Sequence, residues 1–164
     1  MLFSKNIKRH PGEKLVMAFG TFDFLHAGHE NFLKQAKKLG DRLLVIVALD
    51  NTVKSVKGRP PVHSQSTRLN NLKKSGLVDK AVLGLAGDKH QVILKYKPDI
   101  IALGYDQFVF TQTLEKTIIN HQISTEIVRL DAYFPQIYKS SLIRRQLETN
   151  QSVPNEYSAY LNQS

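Results

Sequence analysis

The apolar run Leu15 to Phe19 stops at Gly20 and gives way within a few residues to an amphipathic pattern that opens near His26. Phe32, Leu33, Ala36 and Leu39 fall at helical spacing, Lys34, Lys37 and Lys38 occupy the opposite face, and Gly40 closes the segment. Next comes Leu43 to Ala48, apolar on both faces, as a strand covered by helices on each side requires. Strand and helix signals then keep alternating: a helix over Ser66 to Ser75, a strand over Lys80 to Leu83, a helix near His90 to Lys95, and the breaker Lys97-Pro98. A strand over Asp99 to Leu103, a helix around Thr113 to His121 and a strand over Thr125 to Leu130 complete the series. The alternation, without any internal repeat, predicts an α/β chain: a Rossmann-like doubly wound five-stranded parallel sheet with helices on both faces.

Such a sheet binds ligands at the carboxyl ends of its strands, and the strongest chemical signal lies there. His26-Ala27-Gly28-His29 follows the turn Gly20-Thr21-Phe22-Asp23 at the start of the first helix. Residues three apart share one helix face, so both imidazoles turn toward whatever approaches the helix N-terminus. Unpaired backbone N–H groups and the positive end of the helix dipole favour an anion at that place, and Gly28 has no Cβ to hold phosphate oxygens away. Two ring N–H donors would complete a triphosphate cradle. A half-exposed helix start carrying two histidines is the other reading of the motif alone.

Further along, Asp50 to Pro61 is polar, basic and broken by Gly58 and two prolines, and reads as a loop over the site. Lys54, Lys57 and Arg59 lie in it, either to grip phosphate or as a solvated basic face. Gly104-Tyr105-Asp106-Gln107 ends a central strand, where Asp106 is placed to touch ribose or base. Lys139-Ser140-Ser141-Leu142-Ile143-Arg144 opens the last helix, with a serine able to cap it, to meet phosphate, or both. From Thr149 on the composition turns to Asn, Gln and Ser, and 149–164 reads as a polar tail or docking helix.

Gly20-Thr21-Phe22-Asp23-Phe24-Leu25-His26-Ala27-Gly28-His29 resembles the G-x-F-D-x-x-H-x-G-H signature of the cytidylyltransferase-like nucleotidyltransferases. The likeness extends over roughly residues 14 to 147, and marks 1–148 as a nucleotidyltransferase domain. Members of that family join a nucleoside monophosphate from ATP or CTP to a phosphorylated acceptor and release pyrophosphate. Lys97 to Gln107, and Arg129 with Tyr133 four residues on, are similar to archaeal-type FAD synthases within it.

The resemblance implies catalytic roles for His26, His29 and Lys57, and nucleotide contacts from Thr21, Phe22, Asp23, His26, Gly28, His29, Arg68, Asp106, Tyr133, Ser140 and Ser141. Arg68 would bind phosphate or form an ion pair, and the Tyr133 ring would line the ATP pocket or pack on the core. Magnesium would ride mostly on the triphosphate, with Asp23 reaching it through water and no protein metal cage. FMN is the first choice of acceptor, giving FAD. Glycerol 3-phosphate or a similar small ester with CTP is the second, and a sugar-phosphate or pantetheine-phosphate adenylyltransferase the third. The form R-T-x-G-I-S-T, typical of glycerol-3-phosphate cytidylyltransferases, is missing here. A non-catalytic nucleotide or RNA binder is the contrasting class.

Composition agrees. The 164 residues, 41% hydrophobic, suffice for one core, and the absence of cysteine excludes disulfides and thiolate metal sites. A formal charge of +9 suits anionic substrates, and no zinc-finger, RNP-like or K/R-rich block singles out nucleic acid. The longest apolar run, Leu43 to Leu49, is far below the ~20 residues of a membrane span, and Met1 to His10 contains no secretory core. A cytoplasmic protein is expected, and the resemblance implies a homodimer.

Overall fold

The computed structural model describes residue 7, residues 9–87 and residues 90–149. β1 (Leu15–Gly20) lies in the middle of a five-stranded, all-parallel sheet of order β3-β2-β1-β4-β5, as expected. Its neighbours are β2 (Arg42–Val47) and β4 (Ile100–Leu103), with β3 (Lys80–Leu83) and β5 (Glu126–Arg129) on the two edges. The connecting helices are α1 (Ala27–Lys37), α2 (Asp50–Lys57), α3 (Gln65–Lys74), α4 (Gln91–Tyr96) and α5 (Phe108–Asn120), and α6 (Ser140–Glu148) follows β5.

Alternate side chains of β1 feed two separate cores, because successive strand residues point to opposite faces. Val16 and Ala18 pack with Leu33 and Ala36 of α1 and Leu72 of α3, whereas Leu15 and Met17 pack with Val92, Ile93 and Tyr96 of α4 and Leu114 of α5. This two-sided burial is why β1, β2 and β4 read as unbroken apolar runs rather than alternating ones.

The segment 50–61 departs from expectation. Most of it is helix, not loop: α2 carries Asp50 in its first turn and Lys54 and Lys57 in its last, each sign matched to the helix dipole, and Gly58 ends it at φ 73. Only Val53 of α2 is buried, while Val56 is 70% exposed, so the apolar stripe that normally reveals a helix is a single residue wide. The breaker Lys97-Pro98 behaves as expected: Lys97 adopts φ 46 and closes α4 with an N–H bond to the Ile93 carbonyl at 2.8 Å. α5 starts at Phe108, earlier than the expected Thr113. The polar tail expected at 149–164 lies, beyond Thr149, outside the described residues. Among the described residues no helix is long and apolar enough to cross a membrane.

The chain leaves β1 toward β2 and β3, then returns to add β4 on the other side of β1. The carboxyl ends of β1 and β4 therefore flank the crevice of a topological switch point. Gly40, just past α1, is held by close approach rather than by backbone angle: a Cβ there would sit 2.8 Å from Val16 Cγ2 and 2.9 Å from the Lys14 carbonyl oxygen. Gly40→Ala is expected to lower stability by about 1–3 kcal/mol through overpacking, read as a lower denaturant midpoint at unchanged slope.

Candidate active site

His26 is the N-cap of α1 in extended conformation, 4% exposed, and its Nδ1 accepts the backbone N–H of His29 at 3.3 Å. His29 Nδ1 lies 2.7 Å from the carbonyl oxygen of Phe24. The two rings stack with centroids 3.9 Å apart and planes inclined by 17°, so the imidazoles do share one face. His26 Nε2 is 3.4 Å from Oγ of Ser140, the first residue of α6. The N-termini of α1 and α6 thus meet above the switch point, and their dipoles sum to a place favourable to an anion such as phosphate.

Neither serine caps α6. Lys139 occupies the cap position without a side-chain bond, which leaves the Ser140 hydroxyl facing His26 and Ser141 exposed on the first turn. Gly28 matters here for packing as well as for access. An added Cβ would meet the His26 ring at 3.0 Å and Tyr138 Cβ at 3.1 Å, so the glycine lets the α6 approach lie directly on α1. Tyr133 stacks on Tyr138 at 5.7 Å and meets Phe134 edge-on at 4.9 Å, forming a half-open aromatic pile rather than a core residue.

Phe22 takes φ 51, a left-handed conformation costly for an aromatic residue, and folds its ring back over Gly20. That buried ring packs against His29 at 5.1 Å and helps fix it. Asp23, expected to reach magnesium through water, is also a fastener: its two carboxylate oxygens accept the backbone N–H groups of Val62 and His63, each at 2.9 Å. His63 Nδ1 donates to the Asp23 carbonyl at 2.6 Å. Among the described residues no three His, Cys, Asp or Glu side chains gather closely enough to hold a metal ion.

Arg68 takes the ion-pair alternative. It is fully buried and donates to the carbonyls of Thr21 at 2.6 Å, Ala48 at 2.7 Å and His63 at 3.1 Å, and to Asp50 Oδ1 at 2.7 Å. With its guanidinium enclosed by protein acceptors, phosphate contact is geometrically closed to it. Thr21 accordingly contributes its carbonyl to this clamp.

Lys57, the last residue of α2, is exposed overall, yet desolvation pulls its ammonium below the usual lysine value, opposed by the Asp23 and Asp106 carboxylates. Lys57 and Asp106 therefore approach the site from opposite sides of the crevice, α2 and the loop after β4. Gln107 bridges the ends of β1 and β4: its Oε1 accepts Gly104 N–H and its Nε2 donates to the Phe19 carbonyl, both at 2.9 Å. On α6, Arg144 donates to the Pro60 carbonyl at 2.8 Å, and Glu148 pairs with Arg144 and lies 3.8 Å from Arg59. Phe24, His63, Gln107, Tyr138 and Arg144 had escaped sequence reading, because each acts through a backbone atom or a distant neighbour. A depression of about 550 Å³ along α3 and β3, lined by Leu69, Lys73, Val78 and Leu83 among others, shares no residue with this site.

A family model described as cytidylyltransferase-like matches residues 17–146. The chain belongs to that family. It is 42% identical over 132 residues to the FAD synthase of Thermoplasma volcanium, covering 80% of this chain and 92% of that protein. To the FAD synthase of Pyrococcus abyssi it is 45% identical over 125 residues, covering 76% and 82%. Among solved structures, one described as a lipopolysaccharide core biosynthesis protein from Thermoplasma volcanium superposes with TM-score 0.70 at 43% identity, over 74% of this chain and 99% of that one. A pantoate-beta-alanine ligase from Francisella tularensis shares the fold at TM-score 0.55 and 14% identity, over 94% of this chain and 79% of the ligase.

Burial pushes His26 down to about 4, and burial together with the charge of His26 and Lys57 pushes His29 well below its usual value. Both rings are thus neutral in the native state, while in the unfolded chain they protonate near 6.5. Stability contributed by the neutral rings is complete above about pH 6.5 and is lost as pH falls toward 4, because the unfolded chain then binds more protons. Denaturant titrations are expected to show a loss on the order of 3 kcal/mol from His26 across that window, with a shallower slope in His26→Gln. Arg68→Met is expected to lower stability by about 3–5 kcal/mol, since it strands three carbonyls and the Asp50 carboxylate.

Proposed function

We propose that this chain is a nucleotidyltransferase that transfers AMP from ATP to FMN, giving FAD and releasing pyrophosphate. The observation that carries this reading is an identity of 42–45% over three quarters or more of the chain to proteins named FAD synthase, in a molecule with paired histidines at two converging helix N-termini. A phosphate oxygen of FMN attacks the α-phosphorus of ATP, the bond to the bridging oxygen breaks opposite it, and pyrophosphate departs with the electron pair. No covalent enzyme intermediate is needed, so the protein's work is positioning and stabilising the charge that grows on the phosphoryl oxygens.

His26 and His29 hold the phosphoryl oxygens in this scheme, with the Ser140 hydroxyl and the α6 N-terminus beside them and Lys57 offsetting the charge of the leaving pyrophosphate. Asp106, at the end of β4, and Tyr133, in the aromatic pile, border the nucleoside. Asp23 and Arg68 act at one remove, by fixing the segments that carry the others. Magnesium enters as part of the nucleotide substrate, held mostly through the triphosphate. A cytoplasmic location goes with the same reading, and so does a homodimer, which rests on the resemblance.

Incubation with magnesium, ATP or CTP, and FMN or glycerol 3-phosphate decides the matter by pyrophosphate release and product mass. Release with ATP and FMN is expected, and release only with CTP and glycerol 3-phosphate would overturn the assignment. His29→Ala is expected to lower kcat by about 100-fold or more while the far-ultraviolet dichroism stays unchanged.

A further inference from the structure

The two stacked imidazoles present different faces to a ligand. A backbone N–H can only donate, so the Nδ1 of His26 that accepts the His29 N–H is bare, and the proton of the neutral His26 ring sits on Nε2, beside Ser140. A carbonyl can only accept, so the Nδ1 of His29 that meets the Phe24 carbonyl carries the proton, and the Nε2 of the neutral His29 ring is a lone pair. One ring therefore offers a hydrogen to an anion, and the other offers electrons.

A deprotonated phosphate oxygen facing that lone pair meets repulsion. We propose that nucleotide phosphate is held here only together with one extra proton on His29 Nε2, so that His26 serves as a permanently neutral donor and His29 as the proton-accepting member of the pair. The proposal rests on the nucleotide reading above. Imidazole and a proton drawn from solvent become an imidazolium whose Nε2–H donates to the phosphate, and no other bond changes. The ring stacking at 3.9 Å argues for one proton and not two, since a second cation would face the first across van der Waals distance.

The groups that act electrostatically on His29 are His26, from the start of α1, and Lys57, from the end of α2, and both oppose its protonation. Ser140 of α6 and the Phe22 ring bring no charge. Asp23 and Asp106 act on Lys57. Among these neighbours no carboxylate acts on His29, so the compensating negative charge must arrive with the ligand. Protonation and phosphate binding are thereby linked, and by reciprocity affinity must fall as protons become scarce.

Calorimetric titration of the chain with ATP and excess magnesium at about pH 8, where the phosphates carry no proton of their own, in buffers of different ionisation enthalpy, counts protons taken up per nucleotide. Uptake approaching one is expected, with affinity falling by up to about tenfold per pH unit. His29→Gln, an amide donor with nothing to titrate, is expected to bind with no uptake and a flat pH dependence, whereas His26→Gln retains the uptake. Imidazole nitrogen shifts of the unliganded wild type are expected to show the Nε2–H tautomer at His26 and the Nδ1–H tautomer at His29. ATP binding without proton uptake, uptake that survives in His29→Gln, or the reverse tautomers would overturn the proposal and leave the nucleotide reading standing. Failure of ATP to bind at all would remove both.

Discussion

A single enclosed guanidinium ties together the carboxyl edge of the sheet. Arg68 reaches from α3 to the carbonyls of Thr21 after β1, Ala48 after β2 and His63 before its own helix, and closes on Asp50 at the start of α2. These are backbone groups at the ends of elements, where no ladder partner remains, and each would be costly if buried unpaired. A planar fork with five donors is the side chain suited to gather several such acceptors at once, which a lysine ammonium is not. Because the turn 20–25 hangs from this clamp on one side and from the Asp23 grip on Val62 and His63 on the other, the histidines inherit their positions from it.

The electrostatics of the crevice separate attraction from binding. The chain's excess of 23 Lys and Arg over 14 Asp and Glu sets up a long-range field that gathers anions. Yet the innermost groups, His26 and His29, are kept uncharged by burial, so the unliganded protein bears no stranded cation in its core. Positive potential at the centre comes instead from the aligned peptide dipoles of α1 and α6, which cost nothing to desolvate when a ligand arrives.

Much of this was legible in the sequence, for local reasons. Strands buried on both faces must be written as continuous apolar runs, so Leu15 to Phe19 and Leu43 to Ala48 announced the parallel sheet, and an anion site at a helix start is encoded in adjacent residues from Gly20 to His29. What escaped was whatever depends on distance. α2 hid because only Val53 faces the core, and Asp50 to Pro61 looked like a loop. That the motif aspartate fastens the backbone of Val62 and His63, some 40 residues on, is likewise not written in the motif. Arg68 reads as a phosphate hand or as half of an ion pair, and three of its acceptors prove to be carbonyls, which no pattern of side chains can name. The tautomers of the histidines were hidden for the same reason, being set by Phe24 and His29 main-chain atoms.

The pairing of β1 with β4 stops at Ala18 opposite Ala102, after which the two backbones part. Past that point the Phe19 carbonyl and the Gly104 amide are joined through the carboxamide of Gln107, which turns one N–H to the first and its carbonyl oxygen to the second, as a peptide unit would. The side chain is in effect a borrowed rung, and it lets the fork between the strands open by the breadth of an amide without leaving either main chain thirsty. The floor of the cleft is consequently laid by a replaceable residue in place of a rigid ladder, so its width is a quantity that substitution at one position can tune while the sheet beneath stays as it is.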